Sequence, residues 1–264
     1  MVSYDLKVVQ RFGHEIEGGA QWPRPHCPVC REGCVSWDKP TATENNQSKE
    51  LWDFPGWEPD WISGRMYVTG HCENGACEQL MAAVGKYRVG VSTAIETTHS
   101  QHHGEFYSEY YKLEYFSPPL ILLTLPEVVP GSVRAAVERA SPILFADPSF
   151  AATALRGSVE RFMSSQGIQA FNHKGTWQPL HTRIDTWEAE TKSHRAAELL
   201  RAVKWIGNEG THDGEPLTVN DVIDGLQFIE AAFHELFVAP EITERMQAVN
   251  QAKGRYQAKG PTPA

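Results

Sequence analysis

The stretch "DPSFAATALRGSVERFMSSQG", residues 147–167, sets the period of the second half of the chain. Asp147 can accept a hydrogen bond from a free first-turn amide, Pro148 suits the first turn, and Gly167 stands just past the end. Between them Phe150, Ala154, Leu155, Val159, Phe162 and Met163 recur at helical spacing and are predicted to share one face. Arg156 and Glu160, four apart on another face, are placed to pair.

The same period extends both ways. Upstream, "SVRAAVERASPILF" is apolar at helical spacing. Downstream, "NHKGTWQP" reads as a linker, followed by helical segments around "LHTRIDTWEAE" and "SHRAAELLRAVKWIGN". The segment "TVNDVIDGLQFIEAAFHELFVAP" opens with Thr218 as cap and Asp221 three residues on, as in a capping box, and is expected to stop at Pro240. "EITERMQAVNQAKGRYQ" reads as one more, partly exposed helix. The spacing thus predicts a helical bundle over 126–255 and a disordered tail over 256–264.

Before the prolines at 118, 119 and 126 the pattern is different. "KYRVGVSTAI" and "EFYSEYYKLEYF" alternate apolar and polar residues and read as paired β-strands. The loop between them contains His99, His102 and His103, which no rigid element holds as ligands. Five cysteines, an odd number, argue against a closed disulfide framework. Instead "HCPVC" gives Cys27-x2-Cys30 and "GHCENGACE" gives Cys72-x4-Cys77. Tight turns of this kind aim two thiolates at one point, so two of them make a tetrahedral four-sulfur site for structural Zn2+. Cys34 is left over, either as a bystander or as a replacement for one of these ligands, and His26 and His71 are expected to lie outside the ligand set. Residues 1–117 therefore read as a zinc-ribbon-like β module with a Trp-rich insertion between the knuckles. Within it Trp37, Trp52, Trp57 and Trp61 are expected to fill a thin core. Base stacking is the alternative, opposed by Asp53, Glu58 and Asp60. The fold class is α+β.

Several function classes are excluded or disfavoured. The apolar run "LILLTL" at 120–125 is too short to span a membrane, and no secretory signal is visible, so a cytoplasmic protein is expected. Neither a Walker nor a dinucleotide glycine loop is present, nor a serine nucleophile elbow. The net charge is −9, and residues 1–120 carry 10 Lys+Arg against 16 Asp+Glu. Bulk affinity for a phosphate backbone is therefore not expected, although a local basic groove is compatible with that balance.

The remaining motif is "RAVKWIGNEGTHDGE", residues 201–215, where Asn208 and His212 stand four apart among glycines. With "HCPVC", "HCENGAC", "ALRGSVE" and "GNEGTH" in this order, the chain resembles the bacterial domain of unknown function 4145, grouped with the HEPN-like helical bundles. The resemblance covers nearly the whole chain. It implies a HEPN-like bundle, a homodimer formed through it, and a link to nucleic-acid restriction and phage defence. Active HEPN-like proteins are metal-independent ribonucleases in which four to six residues separate an Arg from a following His. A tuned His moves protons while the Arg clamps phosphate. By the resemblance His212 matches that His and Asn208 the polar residue. Gly207 stands where the Arg is wanted, and Lys204 and Arg201 are the nearest cations upstream. Arg156 and Glu160 are implied to support the motif.

Two glycines make an unbroken helix to residue 212 doubtful. They equally suit a close helix contact, with Asn208 and His212 locking the helix end. The sequence leads to a HEPN-like binding or regulatory protein of a bacterial defence system, anti-phage or restriction-linked, with an RNA, nucleotide or defence-protein partner. The alternatives are a dimeric ribonuclease using His212 with Asn208 and Lys204 or Arg201, and a structural accessory subunit of a larger defence complex.

Overall fold

The computed structural model describes residues 6–92, 107–210 and 215–254. In chain order they form α1 (Leu6–Arg11), β1 (Ile16–Glu17), β2 (Val35–Trp37), β3 (Thr41–Glu44), α2 (Asn46–Lys49), β4 (Ser63–Cys72), β5 (Leu80–Val91) and β6 (Tyr107–Ser117). Helices follow: α3 (Gly131–Glu138), α4 (Pro148–Ser165), α5 (Leu180–Thr191), α6 (His194–Glu209), α7 (Val219–Phe233) and α8 (Ala239–Gln251). The fold is α+β, as the change of period at the prolines implies. The loop histidines His99, His102 and His103, the motif residue His212 and the tail 256–264 lie outside the described residues.

The sheet is antiparallel in the order β1-β6-β5-β4-β2, with β3 pairing along the other end of the same edge of β4. Alternation along β4 sends Met66 and Val68 inward and Arg65 and Tyr67 outward, and β5 and β6 continue both faces. The segment between the two cysteine pairs therefore supplies β2, β3 and β4 of the sheet rather than an insert beside a small ribbon, and β5 and β6 follow the second pair. In the helical part α4 is central and touches α3, α5, α6 and α7. Its start is as expected: Asp147 accepts from the Phe150 amide at 2.9 Å. The Thr218–Asp221 capping box is formed as well.

The sheet and the helices share one core. Phe12, fully buried after α1, meets Phe116 of β6 at 5.1 Å between ring centres and Trp37 and Phe145 at 6.2 Å. On the helical side Phe162 stacks edge-on against Trp187 at 5.4 Å and Phe233 at 5.1 Å. Edge-to-face contacts of this kind add about 0.5–1.5 kcal/mol each to the burial of the rings.

Three expectations are corrected. Phe150 is 63% exposed, because it lies about 140° around the helix from Leu155, which points into the core. Of the tryptophans between the knuckles, Trp37 packs on Phe12 and Phe116, whereas Trp52 and Trp61 are exposed. The chain from 45 to 61 leaves the sheet edge, and the inner face is already filled by Met66, Val68, Met81 and Leu113. Pro240 does not stop a helix: α7 ends at Phe233, a π turn covers His234–Val238, and Pro240 sits in the first turn of α8. The wide turn accommodates a ring that would clash with the preceding turn of a regular helix, and the missing amide costs nothing at a helix start. Among the described residues no helix is long and apolar enough to cross a membrane.

Candidate functional site

Cys27, Cys30, Cys72 and Cys77 converge with their sulfurs within 4.8 Å of one another. Cys27 Sγ lies 3.9 Å from Cys77 Sγ, and Cys30 Sγ lies 3.5 Å from Cys72 Sγ. A tetrahedral site with metal–sulfur bonds of about 2.3 Å has sulfur–sulfur edges of roughly 3.8 Å, so these separations bracket the required value. The two turns are built alike. The residue after the second cysteine of each, Arg31 at φ 62° and Glu78 at φ 47°, takes the left-handed conformation that reverses the chain. In the first turn the amides of Val29 and Gly33 donate to Cys27 Sγ and Cys30 Sγ, both at 3.4 Å. Gly33 leaves no room for a side chain, since a Cβ there would stand 2.6 Å from Cys72 Sγ. In the second turn the Asn74 side chain accepts from the Ala76 amide at 3.0 Å and also donates toward Cys30 Sγ.

The thiols do not ionise alike. Backbone amides of Gly33 and Glu32 lower Cys30 to about 6, whereas burial pushes Cys72 up to about 12. Four thiolates this close repel one another strongly, and a central cation removes that cost. The four cysteines are thus a set that can hold a metal ion. Cys34 is outside it: its backbone bridges His26, and its carbonyl accepts from the Glu73 amide at 3.0 Å. His71 is exposed on β4, away from the sulfurs.

The second candidate is the end of α6, which runs unbroken through Gly207 to Glu209. Gly207 is buried against α4, where a Cβ would run into the Arg156 side chain and stand 2.9 Å from the Ala152 carbonyl oxygen. Gly210 meets Ser149 in the same way one turn on. Arg201, Lys204 and Asn208, at i, i+3 and i+7, follow one stripe. Arg201 forks onto Asp185 (2.6 and 3.1 Å) and also pairs with Glu188, and both carboxylates hold its guanidinium above the ordinary arginine range. Lys204 is only 5% exposed, with its ammonium over the Trp205 ring; burial first, and the Arg156 charge second, lower its pKa. Arg156 pairs with Glu160 at 3.0 Å, and Asn208 is half-buried.

Residues 138–251, from the end of α3 to the end of α8, match the family model described as domain of unknown function DUF4145. The helical part is similar to that family over this range. Residues 18–116, which include both cysteine turns, match a second model, domain of unknown function DUF8608. No curated protein and no solved structure matches the chain.

The helical part also contains a buried cation that gave no signal in the sequence. Arg183 of α5 is 3% exposed and donates to the Glu160 and Ile168 carbonyls and the Ser164 hydroxyl. It satisfies the carbonyl end of α4, where the helix dipole favours positive charge, and burial lowers its pKa. In "LHTRIDTWEAE" it reads as an ordinary polar residue, because its partners lie 15 to 23 residues away.

Proposed function

We propose that the protein is a HEPN-like binding or regulatory component of a bacterial defence system, not a ribonuclease. We further propose that zinc held by Cys27, Cys30, Cys72 and Cys77 keeps its sheet in shape. The commitment of the cations beside the helix-end motif supports the non-catalytic reading. A phosphate-clamping cation must offer a free fork or a free ammonium. Arg201 already serves Asp185 and Glu188, and Lys204 is buried. Gly207, at the position where the nuclease pattern has arginine, is packed against α4.

Zinc is the choice of metal because it has no redox chemistry, accepts four thiolates and imposes no geometry of its own beyond the tetrahedron. A closed four-sulfur set leaves no position for water, so its contribution is to folding. A homodimer through the bundle belongs to the same proposal. Helix α8 has no buried residue and presents Ile242, Met246 and Val249 at i, i+4 and i+7, an apolar stripe suited to a second copy.

The test is incubation of the zinc-replete full chain with total cellular RNA, with and without EDTA, beside His212→Ala. Intact RNA throughout is the expected result. Cleavage that survives EDTA and disappears in the variant overturns the proposal in favour of a ribonuclease.

A further inference from the structure

We infer that the outer face of the sheet binds single-stranded nucleic acid, with bases against Tyr67 and Tyr115 and phosphates along the exposed Arg65 and Lys86. This concerns the DUF8608-matching part and holds whatever the DUF4145-matching part does. It rests on two adjacent rows of side chains that the strand register creates.

The first row is apolar and uncovered. Tyr67 of β4 stands opposite Val84 of β5, which stands opposite Tyr115 of β6. The three are 54%, 45% and 50% exposed, while the residues between them along each strand, such as Met66, Ala83 and Phe116, face the shared core. Two tyrosine rings flanking a flat aliphatic residue on an open sheet are the usual platform for unpaired bases, because every base has a π face to offer.

The second row, one residue pair along, is cationic. Arg65 is opposite Lys86, and Lys86 is opposite Lys112; the row beyond holds Arg88 opposite Tyr110, with its guanidinium 4.5 Å from the ring centre. Like charges directly across a strand pair destabilise a sheet. The facing acids are Glu114, which pairs with Arg65 at 2.7 Å and Lys86 at 3.3 Å, and Glu15, which pairs with Arg88. Four cations against two carboxylates leave a local positive excess on a chain of net charge −9. Arg65 and Lys86 keep about two thirds of their side-chain surface in solvent, at 65% and 64%. They border a concavity of about 360 Å³ with Glu15, Arg88, Tyr110 and Lys112. Excess positive charge beside stacked aromatic surface fits a flexible polyanion whose bases are free. A duplex hides its base faces and would use the charges alone.

The experiment is fluorescence anisotropy of a labelled oligouridylate of about twelve nucleotides, within the span a small β module covers. The full chain, zinc-replete, is titrated against it and against a duplex of the same length. Binding is expected with Kd between about 10⁻⁶ and 10⁻⁴ M, weakening with salt on a log–log slope of about −1.4 for two neutralised phosphates. Tyr67→Ala and Tyr115→Ala should each weaken binding roughly 5- to 150-fold, the range of one lost base stack. Arg65→Glu with Lys86→Glu should abolish it, and Lys86→Arg should retain it. Thermal melting followed by circular dichroism identifies any variant that fails to fold; should the double variant unfold, the single exposed-residue changes decide. No anisotropy change up to about 10⁻⁴ M protein overturns the inference. So do equal binding of the duplex and oligonucleotide binding that these outer-face variants leave unchanged.

Discussion

Replacing Gly207 by alanine tests the packing that underlies the reading of the helix end. In an isolated helix the change is favourable by about 0.8–1.0 kcal/mol, because glycine loses more backbone freedom on ordering. Here the new methyl meets the Arg156 Cβ and, at 2.9 Å, the Ala152 carbonyl oxygen. Both are rigid parts of α4, and carbon contacts are comfortable at about 3.5–4.0 Å, so α4 and α6 must separate by roughly 1 Å. Separation loosens the buried contacts of Ala152, Leu155, Leu200 and Val203 at the same time. Overpacking of this kind costs about 1–3 kcal/mol, and rigid neighbours place it at the upper end. The net expectation is destabilisation by about 2 kcal/mol, or a fall in Tm of roughly 4–8 °C. Urea unfolding of the zinc-replete protein, read as the shift in midpoint at constant slope, measures it. Gly157→Ala is the control: it lies in α4, where a Cβ would meet the movable Arg161 guanidinium at 3.1 Å, and a gain of up to about 1 kcal/mol is expected. A Gly207→Ala protein as stable as the wild type or more so would refute the close contact of α4 and α6, and with it the argument that no arginine fits there.

Metal analysis should find one zinc per chain, with only Cys34 of the five cysteines reacting readily with a thiol reagent until the metal is chelated; five fast thiols in the untreated protein would count against the site. Lys204→Met should leave stability equal or raise it by about 1 kcal/mol at neutral pH, since it removes a buried cation facing Arg156 and keeps the volume. The sign of its pH dependence follows from the lowered folded-state pKa. Between that value and 10.5 the unfolded chain binds more protons, so wild-type stability rises with pH across this window, and the variant should lack that rise. Met246→Glu, at the centre of the apolar stripe on α8, should convert a dimer to a monomer in light scattering without lowering the Tm; an unchanged mass would place any dimer contact elsewhere.

What the sequence made legible was local. Asp147 and Thr218 cap helices because a cap needs only partners three residues away, and both are in place. The cysteine turns were legible for the same reason, and their joining followed from the need of each pair for two further ligands. What stayed hidden depends on distant partners. The tryptophans were assigned to a core because aromatic residues usually bury, but the inner face was already full, and Trp52 instead bonds Glu44 from the surface at 2.9 Å. Lys204 reads as an exposed residue on a polar stripe; its burial depends on how closely α4 approaches. The outer-face rows need the pairing of β4, β5 and β6, whose register no single strand specifies. Alternation in "KYRVGV" puts Lys86 and Arg88 on one face, but only the register sets them opposite Lys112 and Tyr110.

The end of α6 shows how packing and charge constrain one another. Gly207 and Gly210 are three apart on the side that meets α4, and the facing residues Ser149 and Ala152 are small as well. The short distance this permits is favourable for dispersion but brings Lys204 within range of the Arg156 charge, with Glu160 neutralising Arg156 rather than Lys204. A catalytic arginine at 207 would add a third cation and a long side chain where a single methyl already collides. A protein that keeps this contact therefore gives up the phosphate clamp, and one that has the clamp must hold α4 and α6 further apart. On the proposed reading the glycines put this chain in the first group, and Arg201 is turned toward Asp185 and Glu188 on α5.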